Sequence, residues 1–467
     1  MESAVLSKIM ETVSKITGAA ADYADLYVQA GVSHSTLFEE GRLDTISSSQ
    51  SDGLGARVIK GDNTSYSHTI GTTASSAARA LSDVADIAGV KAAKLGESGD
   101  EPLIEIGRSL PSIDAGFFHD LDRRLRSECK YLRQATFRYR TSVKSMLVIR
   151  GDGTIARDDR EYTSFVAQVV LERDDELRTG YESRSLLSGV DGFWSGSAAA
   201  GAEEIAMSAL ARGVLMLDAI PCPAGTMMVL LDGTAGGTMV HEACGHGLEA
   251  VIIQKVFSVY RDRVGELVAS PLVTIVDDAT VPGKYGSYRF DDEGTPAGRT
   301  VLIENGVLKC YMTDILSAKL GELSLTGNGR RESYMHPPLP RMSNTFITEG
   351  ESDPDELMSN VKSGLLVKKM GGGEVNPTSG DFVFHVSEGY LIENGRAGRA
   401  VKGATLTGNG PESLMNIVGV GSKLVLDPGT CGKSGQGVPV TDGQPTLLIK
   451  NITVGGSDTG DGSQAFE

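Results

Sequence analysis

A chain of 467 residues is too long for one small module and fits two or three domains. Its 40% apolar and 22% charged residues are ordinary for a folded globular protein. With 44 basic and 61 acidic residues the net charge is −17, and no block of lysine or arginine interrupts it, which weighs against nucleic acid as a partner.

Glycine is the compositional outlier: 58 residues, about 12% against a usual ~7%, with no collagen period, which implies many tight turns. The cysteines (Cys129, Cys222, Cys244, Cys310, Cys431) are too few and too scattered for a disulfide framework and suit a reducing compartment. No basic and apolar leader pattern opens the chain, and no apolar run approaches the ~18 residues of a membrane helix, so the expectation is a cytoplasmic protein with no membrane association.

Apolar residues at Val5, Leu6, Ile9, Met10, Val13 and Ile16 predict an amphipathic helix over 3–17. Short strands are expected at 24–30 and 55–60, with turns at Glu39–Arg42 and Gly61–Asn63. The Ala-rich run 73–93 reads as helix, and Leu121, Leu125, Cys129 and Leu132 suggest another. Strand, turn and strand follow at 145–150, 151–153 and 162–172, then a helix over 198–217. Pro221-Cys222-Pro223-Ala224-Gly225 breaks the pattern and marks the main boundary. The expected division is an α+β domain over 1–110, a second α+β domain over 111–220 and a β-rich catalytic domain over 221–467. The single tryptophan, Trp194, carries no readable function.

Beyond residue 225, β-branched runs alternate with glycine turns. Leu-Ile-Glu-Asn-Gly occurs at 302–306 and 391–395, and Thr-Gly-Asn-Gly at 326–329 and 407–410. Asn-Gly suits type I′ turns, so these echoes read as hairpins sharing a turn chemistry rather than as a duplicated unit. The fold class expected is α+β. Helices lie on an antiparallel sheet in the N-terminal region, and a glycine-rich, mostly β C-terminal domain carries one metal-binding helix.

The chemistry concentrates at 238–250, where His241, Glu242 and His246 form H-E-x-x-x-H, one residue longer than the zincin motif. Residues five apart on a regular helix lie about 140° apart and do not face one metal, so the helix is expected to be irregular between His241 and His246. A π-bulge, tolerated by Gly245, would realign the rings. The structural alternative is two histidines that bind nothing. Zinc needs a third protein ligand and an open position. Glu249, His385 in a strand-like run, and Cys431 are the candidates, and Cys431 is modestly preferred because flanking glycines expose it on a loop near Lys433. Cys244 reads as packing. Glu242 is the natural general base for peptide hydrolysis.

Other signals are weaker. Gly-Thr-Ala-Gly-Gly-Thr (233–238) lacks the rest of a phosphate loop and reads as the lead-in to the helix; Gly371-Gly372-Gly373-Glu374 lacks dinucleotide-binding context. Asp291, Asp292 and Glu293 could hold a hard cation, but a solvated turn is the preferred reading. Arg330 and Arg331 suit either a substrate carboxylate or structural pairing with the acidic excess.

Several stretches carry a family resemblance. They are His-Glu-Ala-Cys-Gly-His-Gly-Leu-Glu (241–249), Val-Ala-Ser-Pro-Leu-Val-Thr (268–274), Asp-Asp-Glu-Gly-Thr-Pro (291–296) and Thr-Gly-Asn-Gly-Arg-Arg-Glu-Ser-Tyr (326–334). Pro-Arg-Met-Ser-Asn-Thr (340–345), Gly-Asp-Phe-Val-Phe (380–384), Cys-Gly-Lys-Ser-Gly-Gln-Gly-Val-Pro-Val (431–440) and the N-terminal Gly-Leu-Gly-Ala-Arg-Val (53–58) complete the set. In them the chain resembles the TldD/PmbA metalloproteases, specifically the TldD branch. The run after Glu249, Ala-Val-Ile-Ile-Gln-Lys-Val, is more apolar than that branch suggests.

The resemblance implies zinc-dependent cleavage of peptides and unfolded segments, including leader removal. It implies His241, His246 and Cys431 as zinc ligands and Glu242 as catalytic acid/base. It also implies a dimer enclosing a cavity, formed with a second copy or with a metal-free paralogue. Substrate is expected to add as a strand to an exposed sheet edge. The competing reading is a non-catalytic binding or regulatory subunit with an inert histidine motif.

Overall fold

The computed structural model describes residues 2–18, 21–90, 101–106, 110, 115–188 and 198–456; Trp194 lies outside them. The fold is α+β, as expected. Strands β1 (Tyr23–Glu39), β2 (Arg42–Gln50), β3 (Gly53–Lys60), β4 (Asn63–Ile70), β5 (Leu132–Arg150), β6 (Ile155–Arg173) and β7 (Glu176–Leu187) form one antiparallel seven-stranded sheet. Its order is β4-β3-β1-β5-β6-β7, with β2 paired to β1, so strands from both sides of residue 110 share it.

Helices α1 (Glu2–Gly18) and α2 (Ala74–Ala88) bury Ile9, Val13, Ile16, Leu81 and Val84 against β1, β3 and β5. Thr73 caps α2 by accepting the Ser76 N–H, and Gly89 ends it at φ 64°. Helices α3 (Ala115–Glu128) and α4 (Ala198–Asp218) cover another part of the sheet, where Phe118, Leu125 and Ala206 meet Phe137 and Phe165.

Two expectations change here. The strands expected at 24–30 and 145–150 are segments of strands 17 and 19 residues long. Beyond Ala30, β1 meets β2 through a polar ladder, Ser33 Oγ to Ser49 Oγ at 2.8 Å and Ser35 Oγ to Ser47 Oγ at 2.7 Å, which has no apolar period to read. Leu132, placed by its spacing on the third helix, instead opens β5, because α3 stops at Glu128 and the chain turns.

The C-terminal half holds β8 (Ile220–Pro221), β9 (Gly225–Leu231), β10 (Ile275–Asp278), β11 (Arg299–Glu304), β12 (Val307–Leu308), β13 (Gly329–Arg330), β14 (Leu339–Pro340) and β15 (Asn344–Ile347). It continues with β16 (Ser363–Val375), β17 (Asp381–Glu393), β18 (Arg396–Lys402), β19 (Thr405–Asn409), β20 (Ile417–Val420), β21 (Val425–Lys433), β22 (Gln436–Gln444) and β23 (Leu447–Gly455). One sheet runs β12-β11-β10-β15-β22-β21 and another β16-β9-β23-β19-β17-β18-β8, with β20 on β23. A shared core, including Val229, Ile275, Phe384 and Val440, encloses Val240, Ala243, Cys244 and Leu248 of the motif segment.

Both Asn-Gly hairpins form as expected: Asn305 and Gly306 have φ 49° and 81°, Asn394 and Gly395 φ 51° and 75°. The Thr-Gly-Asn-Gly pair does not share one role. Its first copy turns at Gly327, φ 74°, whereas the second runs along β19 into a helical turn beginning at Gly410.

The acidic turn at 291–293 is not solvated. All three side chains are at most 1% exposed, because arginines of the N-terminal sheet meet them. Arg57 pairs with Asp25 and, at 2.6 Å, with Glu293; Arg160 pairs with Asp158 and, at 2.9 Å, with Asp292. The Asp291 carboxylate accepts the N–H groups of Glu293, Thr295 and Gly329. Among the described residues no helix is long and apolar enough to cross a membrane.

Candidate metal centre

The motif segment changes helical type where the spacing demands it. Thr238–Val240 is α-helical, His241–Gly245 is one π-helical turn, and His246–Leu248 is 3-10 before Glu249 becomes extended. The widened turn sets the two imidazole rings edge to face, centroids 5.1 Å apart. Tyr260 Oη donates to the Ala243 carbonyl within that turn at 3.2 Å. The role expected of Gly245 is different in the fold: its φ is an ordinary −53°, but a Cβ there would lie 2.1 Å from Met342 Sδ. Close packing, not backbone freedom, requires this glycine.

Cys431 arrives from the other direction, on β21 opposite Val438 of β22. It is 3% exposed and lies within the strand, so the expectation of an exposed loop is corrected; the loop is the tight turn at Ser434-Gly435. Arg341, fully buried, donates to the Cys431 carbonyl at 2.5 Å and to that of Gln436 at 3.3 Å, holding both arms of the hairpin.

One ligand atom each from His241, His246 and Cys431 lies within 4.8 Å of the others, and His246 Nε2 is 3.5 Å from Cys431 Sγ. Glu242, half-buried, has its carboxylate 4.0 Å from His246 Nε2. His385 is exposed on β17 and does not join the group. Glu249 is completely buried; its carboxylate faces His246 Nδ1 at 3.4 Å and pairs with Lys433, which places it behind the histidine rather than among the donors.

Sequence reasoning missed Asp442. Its carboxylate lies 3.7 Å from His241 Nδ1 and accepts the Gly237 N–H at 3.0 Å. The available signal was strand phase: Val438, Val440 and Asp442 share the inward face of β22, where an acid calls for a partner.

The two nearby thiols are driven apart. Burial, against a smaller opposing effect of the hydrogen bond with Tyr260, pushes Cys244 up to about 12, a neutral packing residue. Burial would raise Cys431 too, but hydrogen bonds and charge from His241 and His246 outweigh it and hold the thiol at about 5. Against the same burial penalty, Glu249 and Cys431 raise His246 to about 10. Two imidazoles and an ionised thiolate within mutual reach fit a zinc-type donor set, with each histidine backed by a carboxylate.

Two histidines on an interrupted helix, met by a cysteine from a facing strand, define a candidate metalloenzyme. Residues 224–456 match the PmbA/TldA metallopeptidase C-terminal domain, and residues 24–88 match PmbA/TldA metallopeptidase domain 1. The Haemophilus influenzae metalloprotease TldD homolog is 38% identical over 450 residues, covering 94% of this chain and 93% of its own. A Methanocaldococcus jannaschii metalloprotease is 33% identical over 451 residues, covering 93% and 97%. The chain therefore belongs to the PmbA/TldD metallopeptidase family. Two solved structures share the fold at TM-score 0.73. One, from Thermotoga maritima and described as a candidate modulator of a DNA gyrase, is 21% identical; the other, TldE from Thermococcus kodakarensis, is 18% identical. Each covers 96% of this chain and 99% of its own.

Proposed function

We propose that this chain is a cytoplasmic zinc-dependent peptidase acting on peptides or unfolded segments, with His241, His246 and Cys431 as metal ligands. The observation that carries the reading is the convergence of those three donors beside Glu242. When bound, zinc supplies a Lewis acid that acidifies water and polarises a carbonyl. Glu242 takes the proton from the attacking water as its oxygen bonds to the carbonyl carbon, then delivers that proton to the amine nitrogen as the C–N bond breaks. Asp442 and Glu249 hold the two imidazoles by their Nδ1 sides.

The substrate reaches the site as an added strand. β21, which carries Cys431, is the end strand of its sheet, and Pro428 within it fits an edge position. The partner is a second copy or a metal-free paralogue. A cleavage survey that found a strict side-chain pocket would sink the strand-addition reading.

Metal analysis and peptide hydrolysis test the whole. Glu242→Gln is expected to keep about one zinc per chain while losing roughly 100-fold or more in turnover. Cys431→Ala is expected to lose the zinc. A purified chain with neither metal nor chelator-sensitive activity, assayed alone and with any partner subunit, would instead support a non-catalytic binding role.

A further inference from the structure

Across the hairpin from the metal centre lies a cleft of about 420 Å3 between the N-terminal sheet and the C-terminal half. Thr430, Gly437 and Pro439 form part of its wall, while Cys431 and Val438, one residue on, turn to the opposite face of the hairpin. None of His241, Glu242, His246 and Cys431 lines it.

The cleft inverts the charge of the molecule. Arg140, Lys144, Arg160, Arg330 and Arg331 line it in a chain whose net charge is −17. Its two acids are already engaged: Asp292 by Arg160, and Glu332 by the Gly437 N–H at 2.7 Å. Arg330 and Arg331 are each 1% exposed and form no ion pair among the described residues. They bond to carbonyls and to Tyr66, and they lie over the rings of Tyr288 and Tyr27, yet the Nε of each has no hydrogen-bond partner. Arg140 is exposed at the cleft and forms no ion pair among the described residues. The acids nearby, Asp292 and Asp25, are shared with Arg160 and Arg57, so positive charge is left in excess around the cleft, where an anionic group would be favoured and where Arg140 offers an exposed guanidinium.

We propose that this cleft is a second binding site, for a small organic anion bearing phosphate or carboxylate groups, distinct from the peptide-cleaving centre. Its volume falls within the ~300–1,000 Å3 of small-ligand pockets. Hydroxyls of Ser142 and Ser164 on its wall offer further donors.

Titration calorimetry of the full chain at low salt, with inorganic phosphate in one arm and succinate in the other, tests this and separates the two anion chemistries. Saturable binding of one anion per chain is expected for at least one arm. Arg140→Glu and Ser142→Asp, which place a carboxylate at the cleft without touching the core, are each expected to weaken it tenfold or more, with zinc content and melting temperature unchanged. Absence of saturable binding in both arms, or binding at wild-type strength in both variants, overturns the proposal. Neither readout depends on peptide hydrolysis, so its failure would leave the peptidase reading standing.

Discussion

Lys433 and Glu249 form a buried ion pair in which the carboxylate oxygen that receives the lysine also faces His246 Nδ1, so the end of the motif segment and the turn of the Cys431 hairpin are tied at one atom. Burial alone would raise Glu249; Lys433 and then His246 outweigh it and hold the carboxyl at about 2. Lys433→Met leaves that carboxylate buried beside one partner fewer. The expected cost is about 3 kcal/mol in urea unfolding, together with zinc affinity weakened by about tenfold. Wild-type stability and zinc content in this variant would mean that the pair does not organise the site.

The proposed metal ligands on the helix are written in the sequence and their support is not. His241, Glu242 and His246 are adjacent enough that helical geometry alone demands the irregular turn that forms. Cys431 comes from a strand 185 residues away from His246; its chemistry earned it only a modest preference over Glu249 and His385, and the resemblance supplied the rest. The partners behind the ligands, Asp442 and Arg341, depend on strand phase and on contacts between distant segments. The same limit hid the buried role of Asp291, Asp292 and Glu293, since no local pattern announces that Arg57 and Arg160 lie across the fold from them. The long polar strands were missed because their serine ladder has no apolar period.

Asp442 is expected to act on affinity more than on chemistry. It touches His241 only at Nδ1, away from the proposed metal side, so Asp442→Asn removes a charge without emptying the space. Outer-shell changes of this kind cost about 10–100-fold in metal affinity. Zinc competition with a chelator should show that drop. Turnover measured at saturating zinc should change far less, and an equal fall in both would assign Asp442 a direct part in the reaction.

Asp292 predicts an acid limb of stability. Burial would raise its carboxyl, but Arg160 foremost, with Lys144 and Arg330, holds it at about 2 against an ordinary 3.8. A lowered folded-state value contributes stability that is present above pH 3.8 and is lost as pH falls towards 2, about 2 kcal/mol in all. Asp291 and Glu293 are raised by burial, so their contribution is complete below about pH 4 and falls only as pH rises towards neutrality and beyond. Of the three acids in this turn only Asp292 acts in the acid window; Glu249, also held at about 2, contributes there equally in wild type and in an Asp292 variant. Denaturant unfolding between pH 5 and pH 2 should show a shallower loss for Asp292→Asn than for wild type; parallel curves would refute the assignment.

Gly245 separates two explanations of the motif segment. If its value were backbone freedom at the π-turn, alanine at its helical φ of −53° would be tolerated and would favour the helix by up to about 1 kcal/mol. The packing says otherwise. An alanine Cβ would sit 2.1 Å from the sulfur of Met342, which is fully buried and whose carbonyl is held by Arg330. Gly245→Ala is therefore expected to destabilise by about 1–3 kcal/mol through overpacking, and to weaken zinc binding by displacing the adjacent His246. Met342→Ala removes the obstructing sulfur, so the damage from Gly245→Ala should shrink in that background, giving a measurable coupling between two residues 97 positions apart in the chain. Additive effects in the double variant would mean that the clash is relieved elsewhere and that the glycine serves the turn after all.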